Sequence, residues 1–278
     1  METGKDNMVE TLILREAIAV IGSALAAKSD IKTGLIFDEV TYPMILLGAL
    51  FNAAEFNLMA FLVAGTVFAA GYAMYVGGKI GGGDVKLFTG LALLVPFLGN
   101  NVFVVNVFVI SGFAAIFYFS VYYLLKYAKK GINFEENKKS TKKAAVLALI
   151  LAAYMYFGLS SGLFSQKFAA IIGVFGFCAI IFVALEKGIK KEFFLKKIRL
   201  EELEEDDIIA LEFLDEKTSK GLSLNFKGIV DQKTGQKLKE LKQTHVPVYR
   251  NLPKFAPFVL LGVVAAIIFP DIFSVVFS

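Results

Sequence analysis

The sequence predicts an all-α polytopic membrane protein of about eight transmembrane helices, or six if the pair near 143–186 is re-entrant, with a small cytoplasmic α+β insertion before the last helix. Three observations lead there. Of 278 residues, 56% are hydrophobic and 19% charged, whereas a soluble domain is nearer a quarter charged. The apolar residues collect into runs of roughly 15–25, long enough to cross a hydrocarbon core about 30 Å thick. Lysine and arginine gather in alternate connections between those runs, as basic loops retained in the cytoplasm do.

The runs lie at about 9–28, 40–54, 57–77, 84–98, 102–127, 143–158, 167–186 and 255–277. Arg15 and Glu16 interrupt the first and are expected near one face of the bilayer. The second, fourth and sixth, roughly 15 residues each, are short at a rise of about 1.5 Å per residue. They must thin the bilayer locally or end in a wet cavity. The small residues Gly22, Ala26, Ala69, Gly71 and Ala73 are placed to permit close helix contact.

With the N-terminus outside, the inner connections hold Lys28 and Lys32, then Lys79 and Lys86, then the cluster from Lys126 to Lys143, and finally everything from Lys187 to Lys254. The outside keeps Lys5, Arg15 and Lys167. The asymmetry predicts a multi-pass protein of the cell (cytoplasmic) membrane, N-terminus outside. No cleavable signal peptide is expected, because the first fifteen residues are mixed in charge and no h-region with a cleavage site follows.

Residues 188–253 differ in character. The stretch "KKIRLEELEEDDIIALEFLDEK" is charged with scattered apolar anchors, and "IVDQKTGQKLKELKQ" suggests a hairpin-like turn at Lys233-Thr234-Gly235 followed by a short amphipathic helix. Some 65 residues make a small cytoplasmic domain. Its acidic run Glu201–Asp207 is a solvated helix face or a dock for a basic peptide. Composition closes other routes. A formal charge of +4, unevenly spread, gives no case for nucleic acid. A lone Cys178 and a lone His245 leave no disulfide framework, CxxC zinc site or multi-histidine metal site. No cofactor and no metal are expected.

Nine aspartates occur, and three of them, Asp30, Asp38 and Asp84, lie where predicted helices meet the predicted cytoplasmic face. Ionisable groups at such positions are functional candidates by default. Asp30 ends the first helix and Asp84 opens the fourth, at similar depth. Carboxyl groups sharing a site cannot both ionise cheaply, so one holds a proton at neutral pH. The ionised partner can then activate a water while the protonated one polarises a carbonyl. That is amide hydrolysis without metal, serine or cofactor. Asp84 sits at a helix N-terminus and Asp30 at a C-terminus, so the dipoles of their own helices assign the proton to Asp30. In "GGKIGGGDVKLFTG", Gly81, Gly82 and Gly83 allow positive φ and close backbone approach, leaving room for an extended peptide beside Asp84. A phosphate cradle is weakened by the absence of GxxxxGK[ST].

"GGGD" at 81–84 opening a membrane helix resembles the GxGD motif of membrane aspartic proteases. Asp30 followed by "IFDEVTYP" resembles the first motif of archaeal type IV prepilin peptidases and preflagellin peptidases, and "HVPVYRNLPKFAPFVLLG" is similar to the approach to their final helix. The resemblance implies Asp30 and Asp84 as catalytic and Asp38 as the non-catalytic second acid of the first motif. It implies removal of short basic class III signal peptides from precursor pilin or archaellin polypeptides at the cytoplasmic membrane boundary. Asp38, Glu39 or the run 201–207 would then orient the basic leader. The cysteine-rich zinc segment of N-methylating bacterial relatives has no counterpart, so a peptidase without methyltransferase activity is expected. The implied organisation is a membrane helical peptidase core over 1–187 with an extra helical pair near 143–186, a cytoplasmic domain over 188–253, and a C-terminal transmembrane helix over 254–278. The partners are those precursors and the lipid bilayer; the oligomeric state stays open.

Two rival classes remain. A proton- or cation-coupled transporter could use paired aspartates, but it predicts inverted repeats and helices broken near the midplane, and neither is visible. A structural platform for a pilus or archaellum assembly would need no chemistry.

Overall fold

The computed structural model describes residues 2–204, 207–214, 230, 236, 238, 240 and 244–271. The predicted turn at Lys233-Thr234-Gly235 and part of the acidic run 201–207 lie outside them. The chain divides into two compact units. The first takes Met1–Phe119, Leu149–Ala179 and Lys254–Ser278; the second takes Ser120–Ala148 and Ile180–Pro253.

The helices follow the apolar runs closely: α1 Glu2–Thr33, α2 Asp38–Ala54, α3 Leu58–Val76 and α4 Gly82–Leu94. After the short strands β1 (Phe97–Leu98) and β2 (Asn101–Val102) come α5 Phe103–Lys130, α6 Phe134–Ser160, α7 Gln166–Ala184 and the single turn α8 Glu186–Ile189. Strands β3 (Leu195–Arg199), β4 (Ile208–Ile209) and β5 (His245–Tyr249) precede α9, Ala256–Ile268. Among the described residues, α3, α5, α6 and α7 are long and apolar enough to cross a membrane, and α9 is a shorter apolar helix. The chain is a multi-pass membrane protein.

Local chemistry sets the helix ends. Gly34 stops α1 with φ +78°, a left-handed residue whose N–H donates to Asp30 O at 2.8 Å. Asp38 and Glu39 occupy the first turn of α2, where acids complement the helix dipole. Asn57 caps α3, its Oδ1 accepting the Ala60 N–H at 3.2 Å. The fourth apolar run was expected to stay helical to 98, but α4 stops at Leu94. Pro96 forces Val95 out of the helical region, and Gly99 at φ +60° turns the remainder into the β1–β2 hairpin.

In the first unit α4 is the buried axis: Val85 and every residue from Leu87 to Leu94 are enclosed. Helices α2 and α3 pack along it, and α1 packs on α9. Close approach needs small residues. A Cβ on Gly48 would stand 2.6 Å from Leu93 Cβ and 2.8 Å from the Leu94 backbone nitrogen. One turn on, Asn52 Nδ2 donates to Gly48 O and Leu93 O, both at 2.6 Å, bridging α2 to the end of α4. Its Oδ1 accepts from Arg15 Nη1 at 3.3 Å. Arg15 is 5% exposed, stacked on the Phe51 ring and paired at 2.6 Å with Glu55, the residue that ends α2.

The second unit holds an antiparallel sheet of order β3-β5-β4. Ile198, Ile209, Val246 and Val248 form its small core with Val230 and Leu238. Asn137 Oδ1 accepts the Gly188 N–H at 2.9 Å, and Glu136 pairs with Lys187 and Lys191. Arg250 pairs with Asp207 at 2.9 Å, and that carboxylate holds the guanidinium above its usual pKa.

The α2–α4 contact generates a stability test. Gly48→Ala presses on backbone that cannot rotate away, so it should cost about 1–3 kcal/mol. It should visibly lower the thermal midpoint in detergent. Gly65→Ala, whose added Cβ meets nothing within 4 Å, should leave the midpoint unchanged or slightly raised.

Candidate active site

Asp30 lies in the last turn of α1 and is 7% exposed. Its Oδ2 accepts the Ala256 N–H at 3.0 Å. Ala256 is the first residue of α9, so Asp30 caps a helix that begins 226 positions later. Asp84 is the third residue of α4 and is half-buried; its Oδ2 accepts the Gly81 N–H at 3.3 Å. The two carboxylates are near enough for the charge of Asp30 to bear on Asp84. Asp30 and Asp84, 54 positions apart in sequence, thus lie within electrostatic range of each other, one in the last turn of α1 and one in the first turn of α4.

The dipole argument that gave the shared proton to Asp30 needs correction. It counted only the C-terminus of α1. Asp30 also faces the N-terminus of α9, whose positive end and free N–H groups act in the opposite sense. Helix dipoles alone no longer decide which carboxyl holds the proton.

The three glycines are not equivalent. None of Gly81, Gly82 and Gly83 has positive φ; the left-handed residue of this loop is Gly78, at φ +66°. Gly83 is the site of close approach, since a Cβ there would come 2.8 Å from Ile36 Cβ and 3.2 Å from Ile36 O. A glycine lets the Gly34–Phe37 connection lie against the first turn of α4. Gly82 has ordinary contact with the Tyr75 ring, and Gly81 supplies the N–H for Asp84.

Asp38 and Glu39 open α2 beside this loop. Lys86 Nζ reaches Asp38 Oδ1 at 2.6 Å and sits 4.9 Å from the centroid of the Tyr42 ring, one turn further along α2. Lys86 therefore ties the start of α2 to the start of α4. Glu39 is exposed and has no polar partner among the described residues. Two contributors escaped the sequence reading. Lys254 places its Nζ where a Cβ on Gly34 would stand, and the Ala256 N–H completes the surroundings of Asp30. No spacing rule links residues 30 and 256; only the "KFAPF" entry to a final helix marked the region. Among the described residues no group of three or more His, Cys, Asp and Glu could hold a metal ion.

The profile of the type IV leader peptidase family matches residues 17–120, the stretch carrying Asp30, Asp38, Gly81–Gly83 and Asp84. Over that segment the chain is similar to this family. It is 39% identical over 94 residues to prepilin peptidase EppA of Methanothermobacter thermautotrophicus. That match covers 31% of this chain and 24% of the relative, so the shared part is about a quarter of that protein's length. No solved structure gives a significant match.

The Lys86–Asp38 tether is partly exposed, with side chains 31% and 50% accessible, which limits its coupling to about 1 kcal/mol or less. In a double-mutant cycle of thermal stability, Asp38→Lys and Lys86→Asp should each lower the midpoint. The double exchange should recover most of the loss.

Proposed function

We propose that this chain is a membrane aspartic endopeptidase that removes short basic class III signal peptides from prepilin-like or preflagellin precursors. What supports the reading is that Asp30 and Asp84 lie within electrostatic range of each other, both inside the segment that matches the family. The reading extends to eight membrane spans with the N-terminus outside and the two aspartates toward the cytoplasm, which the distribution of lysines supports.

The chemistry follows from a shared proton. The ionised carboxylate takes a proton from water as the water oxygen adds to the scissile carbonyl carbon. The protonated carboxyl hydrogen-bonds the carbonyl oxygen as it gains negative charge. The C–N bond then breaks, the amine leaves with a proton returned from the carboxyl pair, and the leader departs with a new carboxylate. Gly83 and its neighbours keep the approach to Asp84 free of side chains. Since Lys86 occupies Asp38, Glu39 is the charge we assign to attracting the basic leader. Residues 1–187 and 254–278 would form the peptidase, with 188–253 as a cytoplasmic domain. We expect peptidase activity without methyl transfer. A cation-coupled transporter is the weaker reading, because both acids cap helix ends rather than interrupting helices midway.

Co-expression with a precursor pilin, read as leader removal on a gel, tests this. Asp30→Asn and Asp84→Asn should each cut processing by about 10²-fold or more while the protein still inserts. Asp38→Asn, which weakens only the exposed pair, should stay within about fivefold of the parent. Processing that persists in both Asp30→Asn and Asp84→Asn contradicts the proposal.

A further inference from the structure

Four hydroxyl residues inside the helices of the first unit pair in one repeated way. Thr33, Thr66, Thr89 and Ser111 each donate to the carbonyl four residues back, at 2.6–2.9 Å. Thr41 does not. It is fully buried, and its Oγ1 has no hydrogen-bond partner among the described residues. The carbonyl within reach of such a bond, Phe37 O, accepts the backbone N–H groups of Val40 and Thr41. Burying an unpaired hydroxyl is unfavourable, so its position calls for a reason.

Contacts made by the same face of α2 fix its depth. Met44 sits where a Cβ would stand on Gly22 of α1 and crowds Gly90 of α4, and Gly48 meets Leu93 and Leu94. Helix α1 runs antiparallel to α2, and α4 runs parallel to it. Stepping back three residues from Met44 therefore places Thr41 level with Leu25 of α1 and Leu87 of α4. Asp30 lies five residues above the first, and Asp84 three above the second. Thr41 is thus roughly 5–8 Å, about one to one and a half helical turns, beneath the acids. Side chains in a helix lean toward its N-terminus. On α2 that direction leads to the acids; on α1 the same rule tips Asp30 down toward Thr41.

Resting on the two-aspartate reading above, we propose that Thr41 is a positioning residue of the site: its hydroxyl donates to the ionised carboxylate from below when the helix ends close on a peptide. The buried donor orients the carboxylate that activates water. The burial of Thr41 is then retained for chemistry rather than for packing. Ser23 gives an internal comparison. It is the other fully buried hydroxyl without a partner among the described residues, but it lies two turns below Asp30 on α1.

Thr41→Val keeps shape and removes the donor. Steady-state processing of a precursor in detergent should show kcat down about 10- to 100-fold with KM unchanged, the cost of losing a hydrogen bond to a charged group. The pH profile should be displaced, while the thermal midpoint holds or rises, since an unpaired hydroxyl has been replaced by methyl. Thr41→Ser should restore kcat to within about threefold, a residual loss of packing only. Ser23→Ala should match the parent in kcat and pH profile. The inference is overturned if Thr41→Val keeps the parental kcat and pH profile, or if Ser23→Ala falls as far as Thr41→Val. Processing that survives Asp30→Asn and Asp84→Asn sinks the underlying reading instead, so the two failures are distinguishable.

Discussion

The first unit depends on the enclosure of α4. A helix of 13 residues is too short to span a bilayer by itself, and it is stable here because neighbours cover it from Val85 to Leu94. Gly48 lets α2 touch the α4 backbone, and Asn52 fastens the two where α4 ends. In the low-dielectric core those amide bonds would be costly to leave unmade. Lys86 and Asp38 hold the opposite end. A helix clamped at both ends has a fixed height, and the height of its first turn is the height of Asp84.

The same geometry explains why Asp30 can be buried. A carboxylate with 7% exposure needs hydrogen bonds, and the N-terminus of α9 supplies one. That contact draws the last helix into the unit that holds α1, which is why Lys254–Ser278 groups with the N-terminal residues despite the intervening sheet. Each acid accepts one backbone N–H, Asp30 from the first residue of α9 and Asp84 from the glycine loop that precedes α4.

Much of this was legible in the sequence, for identifiable reasons. Apolar runs fix helix existence because nothing else satisfies a backbone in lipid, and their limits were right to within a turn at α2, α3 and α7. Two of the exceptions trace to single residues. Pro96 ended α4 early, and Gly34 lengthened α1 past Asp30 by supplying a left-handed cap. The candidate acids stood out because charge is rare at such positions. Their partners did not stand out. The Ala256 N–H, the Lys86 tether and the unpaired Thr41 hydroxyl depend on contacts between distant segments, which periodicity cannot report. The glycines show both outcomes: a run of three pointed to the right loop, but the residue requiring positive φ was Gly78 and the one requiring space was Gly83.

The central claim is that Asp30 and Asp84 work as one unit with one proton between them. The pH dependence of kcat/KM for leader removal by the intact protein tests it most directly. A proton-sharing pair is inactive when both carboxyls are protonated and when both are ionised, so the account predicts a bell-shaped profile with two limbs. A profile with a single limb, rising to a plateau that persists into alkaline solution, would contradict it.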